Sequence, residues 1–225
     1  MIAWRRVAAM AVVMGVAATP AVAASPLEQQ VLAAVNFART NPAAYAEMLK
    51  QYRGYIHNRL ISLPGSREDI ETNEGASVVD ETIDYLAHQQ PLPAIEPAEV
   101  LAGSAADHTA EQASTGDTGH SGRDGSSPAE RVRRRGGGTY VAEVIAYGSV
   151  DAIDAVRQLI VDDGVYDRGH RAIIYSRELR YAGVSCGRHR EFRTMCTIDL
   201  AVTPDGRFPA IQMAEADISV RHGGR

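Results

Sequence analysis

Apolar residues recur at helical spacing through Leu27, Val31, Val35 and Ala38, which predicts a first helix over residues 27–39. Asn41-Pro42 then restarts the chain. Asn suits an N-cap and Pro the first helical position, and Tyr45, Leu49 and Tyr52 give this second helix one apolar face. Periodicity weakens over residues 54–77, around the Pro64-Gly65-Ser66 turn, and the stretch reads as a surface insertion. Val79, Ile83 and Leu86 mark a short helix ending near Gln89. Pro97 opens an Ala-rich one running to about Ala113, on which Leu101, Ala105, His108 and Gln112 share a face. A lone histidine on such a face reads as a hydrogen-bonded core residue.

Residues 116–126 are rich in Gly, Ser and Asp and form a loop that carries His120. Ser127-Pro128-Ala129-Glu130 is a capping box that starts another helix. Its arginines, Arg131, Arg133, Arg134 and Arg135, read as a solvated end that complements the helix dipole. A strand follows over residues 140–147, with Val141, Glu143, Ile145 and Tyr147 alternating onto one side. Glu143 thus shares an apolar face, where a carboxylate needs a hydrogen bond, a counter-charge or a proton. Ser149 is the expected cap of the next helix, whose core stripe is Ile153, Val156, Leu159 and Ile160. Asp162 and Asp163 fall at its C-terminal end, where the dipole disfavours negative charge, so each requires a compensating partner. His170 lies just beyond in a Gly-His-Arg turn. Two strands, over residues 181–186 and 192–202, complete the pattern.

The length suits one well-buried domain. Trp4-Arg5-Arg6, a short apolar run and Ala21-Val22-Ala23 predict a signal peptide over residues 1–23. The apolar run is too short for a stable membrane span. Removing Arg5 and Arg6 leaves 21 basic against 28 acidic residues, a formal charge of −7. That balance, with aromatics at only 6%, argues against a nucleic-acid partner. Export places Cys186 and Cys196, the two cysteines, in an oxidising compartment that favours a hairpin disulfide. The domain is expected over residues 25–203, with a C-terminal tail over 204–225.

No zincin, C-x-x-C, phosphate-loop or dinucleotide motif is present. The polar residues left unexplained are His120, Glu143, Asp162 and His170. Two imidazoles and two carboxylates fit zinc or a similar divalent ion, an acid/base pair, or a buried polar network.

Several segments resemble the CAP superfamily, the cysteine-rich secretory, antigen 5 and pathogenesis-related 1 proteins, whose domain is also called SCP. They are VNFARTNPAAYA, PLPAIEPAEVLAGSAADHTAEQ, GHSG, SPAERVRRRGG, VAEVIAYG and DRGHRAII, in that order. The resemblance implies an α/β fold, a three-layer α/β/α sandwich with a central antiparallel sheet and a large cleft. It places His120, Glu143, Asp162 and His170 in that cleft as the two His and two acidic positions, a ligand set for a divalent metal such as zinc. Val144 stands where the family has Asn, and Asp162 stands where it has the longer Glu. The implied role is a secreted or periplasmic protein that binds an extracellular ligand, lipid or protein, more than one that turns over substrate. A metal-assisted hydrolase and a lipid- or sterol-binding carrier are the alternatives.

Overall fold

The computed structural model describes residues 24–65 and 69–208. The expected signal peptide and the tail beyond residue 208 lie outside the described residues. Helices α1 (Pro26–Thr40) and α2 (Pro42–Arg53) form where the spacing predicts them. A complete capping box starts α1: Ser25 accepts from the Glu28 amide and the Glu28 side chain accepts from the Ser25 amide. Asn41 precedes α2 without a side-chain cap and donates to Thr40 Oγ1 instead.

The stretch read as a surface insertion is partly core. It folds into three two-residue strands, β1 (Ile56–His57), β2 (Leu60–Ile61) and β3 (Ile70–Glu71), paired in that order and antiparallel. Ile56 and Ile61 are buried in the main hydrophobic cluster. Strands this short display no period-2 pattern, which is why the segment reads as irregular. Helix α3 (Ala76–His88) follows. Pro97 belongs to β4 (Glu96–Pro97), and α4 (Glu99–Thr115) starts two residues later than expected.

The second sheet is the centre of the fold. Its order is β4, β6 (Tyr181–His189), β7 (Arg193–Ala201) and β5 (Val141–Tyr147). The three long strands are antiparallel, and the two-residue β4 joins β6 in parallel. Alternation divides their side chains between two layers. Val144 and Ala146 of β5, and Cys196, Ile198 and Leu200 of β7, enter the larger core with α1, α3 and α6 (Ala152–Val161). The opposite face carries Glu143, Ile145 and Tyr147, and it meets α4 and α5 (Pro128–Arg134). Gly183 lets α4 lie against β6: a Cβ there would come within 1.8 Å of the Ala102 nitrogen.

Within α6, Val156, Leu159 and Ile160 are buried as predicted, but Ile153 is on the surface. Asp151, not Ser149, caps the helix by accepting from the Asp154 amide. Cys186 and Cys196 sit directly opposite on β6 and β7 and form the expected disulfide. Among the described residues no helix is long and apolar enough to cross a membrane.

Candidate functional site

β5 is an edge strand, and elements from both helical layers meet beside it. The loop after α4 brings His120 from one side, and α7 (Gly169–Ile174) brings His170 from the other. Their ring centroids lie 6.5 Å apart. With Thr118, Gly119, Ile145, Tyr147 and Phe192 they line an open cleft of about 440 Å³.

The four expected site residues come together as two pairs. His120 Nδ1 is 2.9 Å from Glu143 Oε1, and His170 Nδ1 is 2.6 Å from Asp162 Oδ1. An ionised carboxylate only accepts, so each ring donates from Nδ1 and turns its Nε2 edge away from the carboxylate. Among the described residues no group of three or more His, Cys, Asp or Glu is placed to hold one metal ion. The four expected donors stand as two separate His–carboxylate pairs. Both carboxylates are spent on orienting the imidazoles, and two imidazole edges remain as donors.

The Glu143 side chain is fully buried on β5. Its second oxygen accepts from Arg131 Nη2 at 2.6 Å. Burial pushes the Glu143 pKa up, but the His120 hydrogen bond and the Arg131 charge outweigh it and hold the carboxylate below its ordinary range. Arg131 itself is buried, which corrects the reading of α5 as a wholly solvated basic end. It also donates to the carbonyls of His120 and Ser126, fastening the His120 loop to the helix. The remaining arginines of this cluster behave as expected: Arg134 and Arg135 pair with Asp124 and Asp107 at the surface.

Asp162 solves the same problem differently. It occupies the C-cap of α6 in the left-handed region, at φ 59. From there its Oδ2 accepts from the His170 amide at 2.9 Å and faces the Arg171 amide at 3.4 Å. Asp163 likewise accepts from the amides of Asn73 and Glu74. These amides are the compensation that two carboxylates at a helix C-terminus require. Arg171 and Arg168 then tie the segment to α3 and the residues before it, through Glu81 and Glu74. Arg39 holds the far end of α7, donating to the carbonyls of Ile174, Ser176 and Leu179.

Behind the cleft, His108 is buried as expected and shares the Gly119 carbonyl with Gln112. Tyr147 donates to Gln112 Oε1 and accepts from the Gly119 amide, so its ring is a fixed wall. His189 and Phe192 pack on that wall at 5.3 and 5.5 Å between centroids. Sequence reasoning missed Arg131, Phe192 and a buried acid on β7, Asp199, directly opposite Glu143. Asp199 had a visible signal, since it is the one charged residue in the run from Met195 to Val202.

The model of the cysteine-rich secretory protein family, CAP, matches residues 32–200. No curated protein matches the chain by sequence. Among solved structures, the chain is similar to an extracellular protein containing an SCP domain from Bacillus anthracis str. Ames. The likeness has 19% identity and a TM-score of 0.43, over 55% of this chain and 38% of the other. The family match extends from α1 to the end of the central sheet and includes both histidine–carboxylate pairs, and the chain belongs to the cysteine-rich secretory protein (CAP) family.

Proposed function

We propose that the protein is exported and binds an extracellular ligand in the cleft beside β5, without turning it over. The observation that carries this reading is the pairing of each histidine Nδ1 with a buried carboxylate, at 2.9 and 2.6 Å. Such pairing fixes ring orientation and tautomer. Two fixed Nε2 edges beside an aromatic and aliphatic wall of Tyr147, Phe192 and Ile145 suit a ligand that has both a polar and an apolar face.

The same edges are the donors through which a divalent ion such as zinc would be held. Two imidazoles are fewer than the three protein ligands of ordinary catalytic zinc sites, so the ion would depend on water or the ligand to complete its shell. Glu143 and Asp162 would then orient the ligating rings and not ligate. Calorimetric titration of metal-free protein with zinc chloride tests this. Heat of binding is expected for the native protein and is lost in His120→Ala and His170→Ala. Equal heat in the double variant, or none in the native protein, removes the metal from the reading. Ligand capture that survives both substitutions would remove the cleft as well.

A further inference from the structure

The loop between α4 and α5 that carries His120 has no regular structure of its own, so its backbone groups need partners from elsewhere. Side chains of four elements supply them. His189 on β6, whose Nδ1 accepts from the Glu191 and Phe192 amides, donates from Nε2 to the Asp117 carbonyl at 2.9 Å. Gln112 and His108 on α4 donate to the Gly119 carbonyl at 2.7 and 2.8 Å. Tyr147 on β5 accepts from the Gly119 amide at 2.9 Å, and Arg131 on α5 donates to the His120 carbonyl at 3.0 Å.

Three of these bonds close into a cycle. The Gly119 amide donates to the Tyr147 hydroxyl, the hydroxyl donates to Gln112 Oε1 at 2.8 Å, and Gln112 Nε2 returns to the Gly119 carbonyl. The amide belongs to the peptide before Gly119 and the carbonyl to the peptide after it, so the cycle holds both dihedrals of that residue. Gly119 stands at φ 92, where glycine is favoured, yet a Cβ there would meet nothing within 4 Å. Hydrogen bonds, not packing, therefore hold this turn. Gln112 and His108 are completely buried, so water does not compete for them, and in a dry cycle each bond strengthens the next.

We propose that Tyr147 and Gln112 are positioning residues for His120, holding through Gly119 the backbone from which its ring projects. Glu143 fixes the ring, Arg131 fixes the carbonyl of the same residue, and the cycle fixes the residue before it. One side of Tyr147 thus lines the cleft while its hydroxyl holds the loop behind. His170 needs no such cycle, because it starts the helix α7 and takes its backbone hydrogen bond from Asp162.

The test needs no ligand. Tyr147→Phe removes one hydroxyl and keeps the ring that packs on His189 and Phe192, so the variant should fold. Exchange of the Gly119 amide is expected to rise about three- to tenfold, the size of one net hydrogen bond. The His120 ring should lose order in 13C relaxation, while the His170 ring keeps its native values. Gln112→Met opens the cycle at another point and should loosen His120 in the same way. The double variant should loosen it by less than the sum of the two, because one cycle is broken only once. An unchanged Gly119 amide or an unchanged His120 ring in folded Tyr147→Phe overturns the proposal. Equal loosening of His170 overturns it too, since a general loss of stability would then explain the effect. Strictly additive effects in the double variant would show bonds acting separately, and would remove the cycle.

Discussion

The two histidine–carboxylate pairs look alike from the cleft and are built from opposite materials. The His120 pair rests on side chains: Glu143 is buried on a strand, neutralised by Arg131 and backed by Asp199. The His170 pair rests on backbone: Asp162 caps a helix and accepts from the amides of the turn that carries its histidine. A buried side-chain ion pair is costly to break, because removing one partner strands the other charge. Amide donors cannot be mutated away, so the second pair should tolerate changes that destroy the first.

Arg131→Met should have the largest effect. It leaves Glu143 without a counter-charge and frees the carbonyls of His120 and Ser126, at a cost of about 3–5 kcal/mol in chemical denaturation. A loss below about 1 kcal/mol would show that Glu143 can be neutralised by other means. Removing the disulfide by Cys186→Ser with Cys196→Ser should cost about 2–3 kcal/mol. Because β7 carries Asp199 and pairs with β5, amide exchange should speed up around Glu143 more than around His170. Uniform acceleration would deny that the two pairs rest on different parts of the fold. Asp162→Asn should cost less, about 1–2 kcal/mol, since Asn tolerates the left-handed conformation and can still accept from the His170 amide. A cost equal to that of Arg131→Met would erase the contrast.

The residues of the site were legible where a local rule was visibly strained. Glu143 stood out because strict alternation put it on an apolar face, and Asp162 because it fell at the wrong end of a helix. Each strain signalled a missing partner without saying which. The partner of Asp162 lies eight residues away within one turn, close enough for the Gly-His-Arg segment to suggest it. Arg131 lies twelve residues before Glu143, beyond an intervening loop, and it shares its helix with Arg133 and Arg134, which like Arg135 just after it face solvent or surface carboxylates. Nothing in α5 distinguishes the buried arginine until the strand packs beside it. The fold followed the same division. Long amphipathic helices and the β6–β7 hairpin announced themselves by period, whereas β1, β2 and β3 are too short to have one.

Acid should separate the two regions by the sign of their response, though the effect is the smallest of these. On the His170 side, the Arg168 hydrogen bonds and then the Gly164 amide lower the Glu74 pKa from 4.5 to about 2. A depressed carboxyl pKa gives stability that is fully present above 4.5 and is lost as pH falls through about 2. Glu74 and Arg168 are partly solvated, so the contribution is below about 1 kcal/mol. On the His120 side the Asp199 pKa is raised above its ordinary 3.8, first by burial and then by Glu143. Its contribution is complete below 3.8 and shrinks as pH rises towards the folded value, because the unfolded chain sheds that proton first. Relative to native protein, Glu74→Gln should therefore lose its stability deficit as pH falls, and Asp199→Asn should gain relative stability as pH rises. Denaturation midpoints of the three proteins measured from pH 3 to pH 7, at about half-unit steps, should show the two differences running in opposite directions. Parallel slopes would mean that the carboxyl behind Glu143 is ionised like the one before α3, and that both pairs are held by ordinary ion pairing after all.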